Sequence, residues 1–414
     1  MHAKHLFLTI VLSVVAALSH AGEEAEFRLK NEERIVFFGD SITAGGRYII
    51  YIESYLATRF PERAYTLINS GKGSETLSGL SEVDHPGRRP HAFARFTQFV
   101  ADFDPTLIVS CYGMNDGIYH PFSEERFGKY KEGVKMLIDR VRQETKARLN
   151  IITPPVFDSK NPGQPDVRPE ESYGYKQPFA DYDQVLEKFS EFLMTLKEDG
   201  VFVTDLHTPM KEHIKTRRID TPAFRVQGDM IHPDNTGHML MALAILKGWN
   251  APSLASEAVI DVATNKVMSG DVRDLKSDAG GLELSWTAKL PAPNDRTWDM
   301  KSVELAKWNE SLNRHTLKIT GLTHLSYKLF ADDVEVATLS KEDLERGVDL
   351  TRLEKFPTTA ASAALLPLLE ERRKTGYANL RKTPAANPKR SELDKKIADV
   401  CRPKILKIRL VPQK

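Results

Sequence analysis

From about residue 34 to residue 250, the chain alternates short apolar segments with longer segments in which apolar residues recur at helical spacing. The apolar segments, such as RIVFF at 34–38 and TLIVSCY at 106–112, lack polar alternation, which is typical of strands buried on both faces. This order of segments predicts an α/β fold in which helices cover both faces of a parallel sheet. The predicted strands are 34–38, 64–68, 106–112, 150–153 and 201–204, and the predicted helices are 48–60, 92–102, 130–143, 182–197 and 235–249.

After residue 250 the pattern changes to short strand-like segments between Pro- and Gly-rich turns. The Asp332-Asp333 pair separates two of these segments and predicts a hairpin. We therefore predict a smaller β-rich C-terminal domain over 251–384 with a helical appendage at 360–374, followed by a tail at 385–414. The tail contains an alternating run, ILKIRLV, that could pair with the small sheet. The predicted strands of this domain are 282–286, 316–319, 327–330 and 334–338.

The first 21 residues have the features of a secretory signal peptide. Lys4 precedes an apolar run from Leu6 to Leu18, and a small-x-small cleavage site ends at Ala21. A buried N-terminal helix or strand is the alternative explanation of the same pattern. We predict export to the periplasm or the extracellular space after cleavage near Ala21. Later apolar runs fall short of the about 20 residues that a transmembrane helix needs, so no transmembrane segment is predicted.

Charge and cysteine content narrow the possible partners. The 58 Lys and Arg residues balance 57 Asp and Glu residues, for a net charge of +1, which gives nucleic-acid binding no support. Cys111 and Cys401 could form a disulfide in an exported protein, but we favour two unpaired thiols because the bond requires close Cα atoms. His, Cys and Asp residues show no metal-ligand spacing, so neither a metal nor a cofactor is predicted. The oligomeric state is left open.

Four segments carry residues suited to acyl transfer, and three of them directly follow predicted strands, where ligands bind in parallel α/β sheets. They are Gly39-Asp40-Ser41, the Gly-rich loop 69–76, Gly113-Met114-Asn115-Asp116 and, further along, Asp229-Met230-Ile231-His232. A serine nucleophile needs a base, an oriented carboxylate and N–H donors for the oxyanion. Each segment also has a plain structural explanation, as a helix cap or a turn.

Together and in this order, the four segments resemble the sequence blocks of the SGNH, or GDSL, hydrolases. The resemblance spans about residues 34–250 and implies a hydrolase domain over 26–250 with a flavodoxin-like three-layer α/β/α sandwich. It implies a triad of Ser41 as nucleophile, His232 as base and Asp229 as the partner of His232. It also implies an oxyanion hole made by the N–H of Ser41, a backbone N–H of the Gly-rich loop and the side chain of Asn115.

The Gly-rich loop departs from the family pattern at one position. The family usually has glycine where this chain has Ser74, although Gly73 precedes it. A backbone N–H donor tolerates a side chain when its φ and ψ are open to residues other than glycine. We therefore predict Ser74 as the oxyanion donor, with Gly73 as the alternative.

The substrate is predicted from the residues next to Ser41, which are small or polar between Thr43 and Arg47. They favour a small acyl group, such as acetyl, on a polar substrate, and family analogy suggests an acylated small molecule or polysaccharide. The loop 157–178 contains Tyr173 and Tyr175, which could stack on sugar rings. The expected function is therefore that of an exported serine esterase acting on carbohydrate. The alternatives are a lysophospholipase or thioesterase, and a carbohydrate-binding protein with a decayed active site.

Overall fold

A computed structural model describes residues 26–160, 166–278, 281–377 and 387–413, so the predicted signal peptide lies outside the described residues. The N-terminal half is built on a parallel five-stranded sheet with strand order β2-β1-β3-β4-β5, which is the flavodoxin-like order. Its strands are β1 (Arg34–Gly39), β2 (Thr66–Gly71), β3 (Leu107–Cys111), β4 (Arg148–Ile152) and β5 (Val201–Thr204).

Helices cover both faces of this sheet, since every residue of β3 and all but the first of β1 are buried. The predicted α/β class is thereby confirmed. Within the described residues, no helix combines the length and apolar character needed to cross a bilayer. The helices of this half are α1 (Ser41–Gly45), α2 (Arg47–Arg59), α3 (Phe96–Phe99), α4 (Glu124–Glu144), α5 (Asp183–Met194), α6 (His207–Asp220) and α7 (Asn235–Gly248).

Two helices differ from the sequence prediction for identifiable reasons. The predicted helix 92–102 is a series of short turns, because the backbone leaves the helical region at Arg95 and again at Val100. Helix α6 has no counterpart in the prediction. Its buried face includes His207, His213 and Arg217, so it lacks the apolar periodicity that indicates a helix.

The C-terminal region contains two further sheets, with strand orders β13-β10-β6-β7 and β12-β11-β14-β9-β8. Residues of both sheets form one buried cluster around Trp286 and Tyr327, so the sheets pack as a sandwich with its own core. The strands are β6 (Leu254–Asp261), β7 (Lys266–Ser269), β8 (Val272–Asp278), β9 (Gly281–Ala288), β10 (Arg314–Thr320), β11 (Ser326–Ala331), β12 (Val334–Ser340), β13 (Val348–Asp349) and β14 (Lys404–Pro412).

The predicted hairpin joins β11 to β12, and both Asp332 and Asp333 have the positive φ that such a tight turn requires. The segment predicted as a tail supplies β14, which pairs with β9 on one side and β11 on the other. The alternating run ILKIRLV therefore lies in the middle of the small sheet.

Several helices of the C-terminal region pack onto the α/β half, whereas α10 (Lys341–Arg346) packs on the small sandwich through Leu344. Trp308, Leu365 and Ile397 belong to the same buried cluster as the parallel sheet. Cys401 also joins this cluster, and both it and Cys111 are buried and unpaired, as favoured. The helices are α8 (Met300–Leu305), α9 (Trp308–Leu312), α10 (Lys341–Arg346), α11 (Pro357–Ser362), α12 (Leu365–Lys374) and α13 (Pro388–Cys401).

Candidate active site

Ser41 is the first residue of α1, at a sharp turn after β1. The turn depends on Gly39, because a Cβ there would lie 2.2 Å from Oγ1 of Thr43 and 2.8 Å from the carbonyl oxygen of Cys111. In the first turn of a helix the N–H groups have no intrahelical acceptor. The turn therefore places the hydroxyl and the N–H of Ser41 beyond the carboxyl end of the sheet.

Asp40 caps α1 and is fully enclosed beneath Ser41. Its carboxylate accepts a hydrogen bond of 2.9 Å from the N–H of Ile42. The pKa of Asp40 is raised to about 7, chiefly by burial and also by the charge of Asp116, against the lowering effect of the Ile42 hydrogen bond. Burial also raises the pKa of Asp116 to about 6. Two acidic side chains thus lie close together behind the site, and each disfavours ionisation of the other.

His232 connects Ser41 to Asp229 through its two ring nitrogens. Nε2 lies 2.8 Å from Oγ of Ser41, and Nδ1 lies 2.7 Å from Oδ2 of Asp229. The pKa of Asp229 is lowered, because hydrogen bonds from His232 and Ile231 outweigh the opposing effect of partial burial. An ionised Asp229 fixes the proton on Nδ1, so Nε2 is free to accept the serine proton. The structure therefore brings the three predicted triad residues together.

The loop that carries Asp229 and His232 rests on the segment after β4. The N–H of Asp158 donates to the carbonyl of Met230 at 2.9 Å. The carboxylate of Asp158 bonds Nη2 of Arg218 at 2.8 Å and lies 3.2 Å from Nε of Arg225. Met230 has a φ of 75, which turns the chain sharply between the two triad residues. Asp158 thus links the segment after β4 to the loop at Met230 and to Arg225 just before the loop.

The Gly-rich loop lies beside Ser41. A Cβ on Gly73 would lie 4.0 Å from Cβ of Ser41, so the loop approaches closely. Ser74 has a φ of 64, in the left-handed region that favours glycine, where the family usually has that residue. The turn therefore keeps the backbone conformation of a glycine even though a serine occupies it. Ser74 and Gly73 both remain candidates for the oxyanion donor.

Asn115 is buried and its side-chain amide is held at both ends. Oδ1 accepts a hydrogen bond of 2.9 Å from the hydroxyl of Tyr119, and Nδ2 donates to the carbonyl of Glu75 at 3.1 Å. The amide nitrogen carries two hydrogens, and the hydrogen bonds of the described residues use one. Asn115 therefore contacts the same loop as Ser74 and retains an N–H for an oxyanion.

Two buried ion pairs that sequence reasoning missed support this loop. Arg89 bonds Glu82 through two nitrogens at 2.5 Å and donates to the carbonyl of Ser74 at 3.3 Å. Arg95 bonds Glu75 at 2.5 and 2.6 Å. The members of each pair are 7 and 20 residues apart with no recognisable motif, so the sequence offered no signal for them.

Some residues proposed to contact substrate have other roles. Tyr173 is 4% exposed and its hydroxyl bonds the carbonyl of Asp166, so its ring is closed to a sugar. Tyr175 is half-buried and packs edge-on against His85, with ring centroids 5.7 Å apart. Thr43 is fully buried and bonds the hydroxyl of Tyr48 at 3.1 Å. Of the two tyrosines in the loop 157–178, Tyr175 is therefore the better candidate for stacking on a sugar ring.

A group of side chains outside the triad has the composition of a metal site. The possible ligand atoms lie within 4.8 Å of one another and belong to Asp183, Glu187 and His207. The ammonium group of Lys211, however, bonds the two carboxylates at 2.8 and 2.6 Å. Lys211 thus supplies the positive charge that a metal ion would bring, and we assign the group as an ion-pair cluster.

The chain is similar to an esterase in sequence and, over most of its length, to a second enzyme in fold. The model of the GDSL-like Lipase/Acylhydrolase family matches residues 37–240. An acetylxylan esterase from Geobacillus stearothermophilus is 24% identical over 243 residues, covering 53% of this chain and 95% of the relative.

Two solved structures extend the comparison. A gut microbial diltiazem-metabolizing enzyme superposes with a TM-score of 0.77 at 22% identity, covering 93% of this chain and 98% of that chain, so the shared fold includes the C-terminal region. A structure of the acetylxylan esterase from Geobacillus stearothermophilus matches with a TM-score of 0.37 at 21% identity, over 54% of this chain and 96% of that chain. The family model identifies residues 37–240 as a GDSL-like lipase/acylhydrolase domain, and the chain is a carboxylic ester hydrolase of this family.

Proposed function

We propose that the protein is an exported serine esterase that removes a short acyl group, acetyl in the simplest case, from a polar, carbohydrate-like substrate. The observation that carries this proposal is the chain of hydrogen bonds from Ser41 through His232 to Asp229, at 2.8 and 2.7 Å. Such a chain supplies a nucleophile, a base and an orienting carboxylate, which are the groups that acyl transfer through a serine requires.

The reaction proceeds in two halves. In the first, Oγ of Ser41 attacks the ester carbonyl carbon while its proton moves to Nε2 of His232, and the N–H groups of Ser41, Ser74 and Asn115 stabilise the oxyanion. The carbon–oxygen bond to the alcohol then breaks, and the alcohol leaves with the proton from His232. In the second half, water gives a proton to His232 and attacks the acyl-enzyme, which releases the acid and restores Ser41.

The surroundings of the triad favour a small acyl group on a large polar alcohol. The side chains of His232 and Asp229 are 45% and 58% exposed, so a bulky leaving group can approach the base from solvent. The groups that approach Ser41 from the loops, namely Gly73, Ser74 and Asn115, are small or polar and offer little apolar surface to a long acyl chain. The acetyl ester of a sugar is also the substrate class named for the acetylxylan esterase relative.

The central test replaces Ser41 with alanine. We expect Ser41→Ala to reduce hydrolysis of p-nitrophenyl acetate by at least about 10³-fold, because the nucleophile is lost, while the melting temperature stays close to that of the wild type. A fluorophosphonate probe should label the wild type and not the variant. Retained turnover in the variant would refute the assignment, and a wild type that resists labelling would indicate a decayed site.

The acyl preference is tested with a series of p-nitrophenyl esters from acetate to decanoate. We expect kcat/KM to be highest for acetate, because Gly73 and its neighbours beside Ser41 are small or polar and offer little apolar surface to a longer acyl chain. A rise in kcat/KM with chain length would instead favour a lysophospholipase or thioesterase.

Two further measurements test the rest of the proposal. Acetate release from a panel of acetylated polysaccharides identifies the alcohol part of the substrate. N-terminal sequencing of the mature protein tests cleavage after Ala21.

A further inference from the structure

The segment 295–299 of the C-terminal region touches the elements on both sides of the triad. Ser41 begins α1, and α2 follows it after a single residue, Gly46. His232 lies in the loop that leads directly into α7. Residues 295–299 contact the first turns of α2 and α7, so they span the gap between the two elements that hold the nucleophile and the base.

The first contact joins Asp295 to α2. Oδ2 of Asp295 accepts hydrogen bonds from Nη2 of Arg47 at 2.6 Å and from the hydroxyl of Tyr51 at 2.8 Å. The carboxylate is 7% exposed, so these bonds form where water competes little. Arg47 is the first residue of α2, directly after the Gly46 that ends α1. Asp295 therefore restrains the end of the short helix that begins with Ser41.

The second contact joins the same segment to α7. The hydroxyl of Thr297 donates to Oδ1 of Asp295 at 2.7 Å and accepts from Nδ2 of Asn235 at 2.7 Å. One residue further on, the hydroxyl of Thr236 accepts from the N–H of Asp299 at 2.9 Å. Asn235 is the first residue of α7, three positions after His232. Hydrogen bonds thus run without interruption from α2 through Asp295 and Thr297 to α7.

We propose that Asp295 and Thr297 are positioning residues that set the separation between Ser41 and His232. The inference rests on the proposed catalytic roles of Ser41 and His232. A misplacement of about 1 Å in a reacting group can lower a rate about 100-fold, so a link that fixes two separate elements relative to one another affects catalysis strongly. In this view the C-terminal region contributes to catalysis without contacting the substrate.

The chain offers a matched control for this link. Asp349 and Thr351 form the same local turn, in which Oδ1 of the aspartate accepts from the N–H and the hydroxyl of the threonine, at 3.0 and 2.6 Å. The corresponding distances in the Asp295 turn are 3.0 and 2.7 Å. Asp349 lies at the end of β13, and its other contacts are with Asn309 and Arg352. Its turn therefore repeats the local chemistry without the link to the triad.

The experiment compares Thr297→Val, Thr297→Ser and Thr351→Val. Valine removes the hydroxyl at nearly constant volume, and serine restores it. With p-nitrophenyl acetate, we expect Thr297→Val to lower kcat at least about tenfold with little change in KM, because the geometry of the reacting groups is lost and substrate binding is not. Thr297→Ser should recover most of kcat, and Thr351→Val should keep it. Equal losses of kcat in the two valine variants would overturn the proposal.

A second readout does not depend on esterase activity. The ¹⁵N chemical shift of Nε2 of His232 reports its hydrogen bond to Ser41, and Ser41→Ala gives the shift without that bond. We expect Thr297→Val to move the signal toward the Ser41→Ala value, and Thr351→Val to leave it in place. An unchanged signal in Thr297→Val would refute positioning even in an active enzyme. A shifted signal in a protein without esterase activity would support positioning while the proposed function fails.

Discussion

At the scale of single residues, Asn115 depends on Tyr119 for its orientation. Asn and Gln amides can present either their oxygen or their nitrogen to a ligand, and the hydroxyl of Tyr119 fixes the choice by donating to Oδ1. Tyr119 is itself buried and has a φ of 62; its ring is tilted against that of Tyr182, with centroids 5.0 Å apart, and lies 5.4 Å from the guanidinium carbon of Arg89. The nitrogen of Asn115 is therefore held toward the Gly-rich loop before any substrate binds.

We predict that Tyr119→Phe lowers kcat for p-nitrophenyl acetate about tenfold, because the amide of Asn115 loses its orientation while its N–H remains present. The measurement is steady-state kinetics together with thermal unfolding. Tyr173→Phe is the control, because it also removes a buried hydroxyl that bonds a carbonyl, that of Asp166. In an Asn115→Ala background the Tyr119→Phe change should cost nothing further. An additional loss there would contradict this role.

The resemblance of four short segments, taken in order, to the family's sequence blocks selected Ser41, Asn115, Asp229 and His232 as the candidate site residues, although each segment alone also fits a helix cap or a turn. The residues that orient them were not predictable in this way. Tyr119 meets Asn115 only through the turn at positions with positive φ, and Asp295 reaches α2 from 248 residues further along the chain. The first contact depends on an unusual local backbone conformation and the second on tertiary packing, and neither follows from a recognisable motif.

At the scale of elements, the buried Asp158 is an anchor of the loop that carries Asp229 and His232. Asp158 is 4% exposed and pairs with Arg218 and Arg225, while its N–H bonds Met230. A loop of this kind keeps its conformation only while its few anchors persist. Sequence patterns predict neither this anchor nor helix α6, and the reason is the same. Polar side chains such as these are buried because they meet specific partners, and those partners cannot be identified from local sequence.

We predict that Asp158→Asn lowers kcat/KM about tenfold and increases amide hydrogen exchange in residues 224–232, because the loop loses a charged anchor. Glu33→Gln is the control, since Glu33 is equally buried and pairs with Arg148 at 2.6 Å on β4, at the opposite end of the sheet. It should lose stability to a similar extent and keep its activity. Unchanged exchange in Asp158→Asn would show that the main-chain bonds alone hold the loop.

At the scale of the whole molecule, buried titratable groups couple stability to pH in opposing directions. Burial lowers the pKa of His238 and of His315 to about 3, so the unfolded chain takes up their protons first as the pH falls. These histidines therefore make the fold less stable between about pH 6.5 and pH 3. Asp40, whose pKa is raised to about 7, binds its proton in the native state first and adds stability as the pH falls below 7.

We predict that His315→Gln flattens the dependence of unfolding free energy on pH by up to about 1.4 kcal/mol per pH unit between pH 6 and 4, because one proton uptake by the unfolded chain is removed. The measurement is urea unfolding at several pH values. The exposed His324, replaced by glutamine, is the control in the same region. The slope is the readout, so an overall loss of stability does not obscure it. An unchanged slope would mean that His315 titrates normally in the native state.

The central position of β14 has a consequence for how the protein is made. Strands β9 and β11 leave the ribosome more than 70 residues before β14, and until it arrives neither has its inner neighbour. Unpaired strand edges of this kind associate with other chains, so the nascent chain depends on chaperones or on rapid completion. Shortening the chain before residue 404 would therefore be expected to yield aggregates in place of a smaller active esterase.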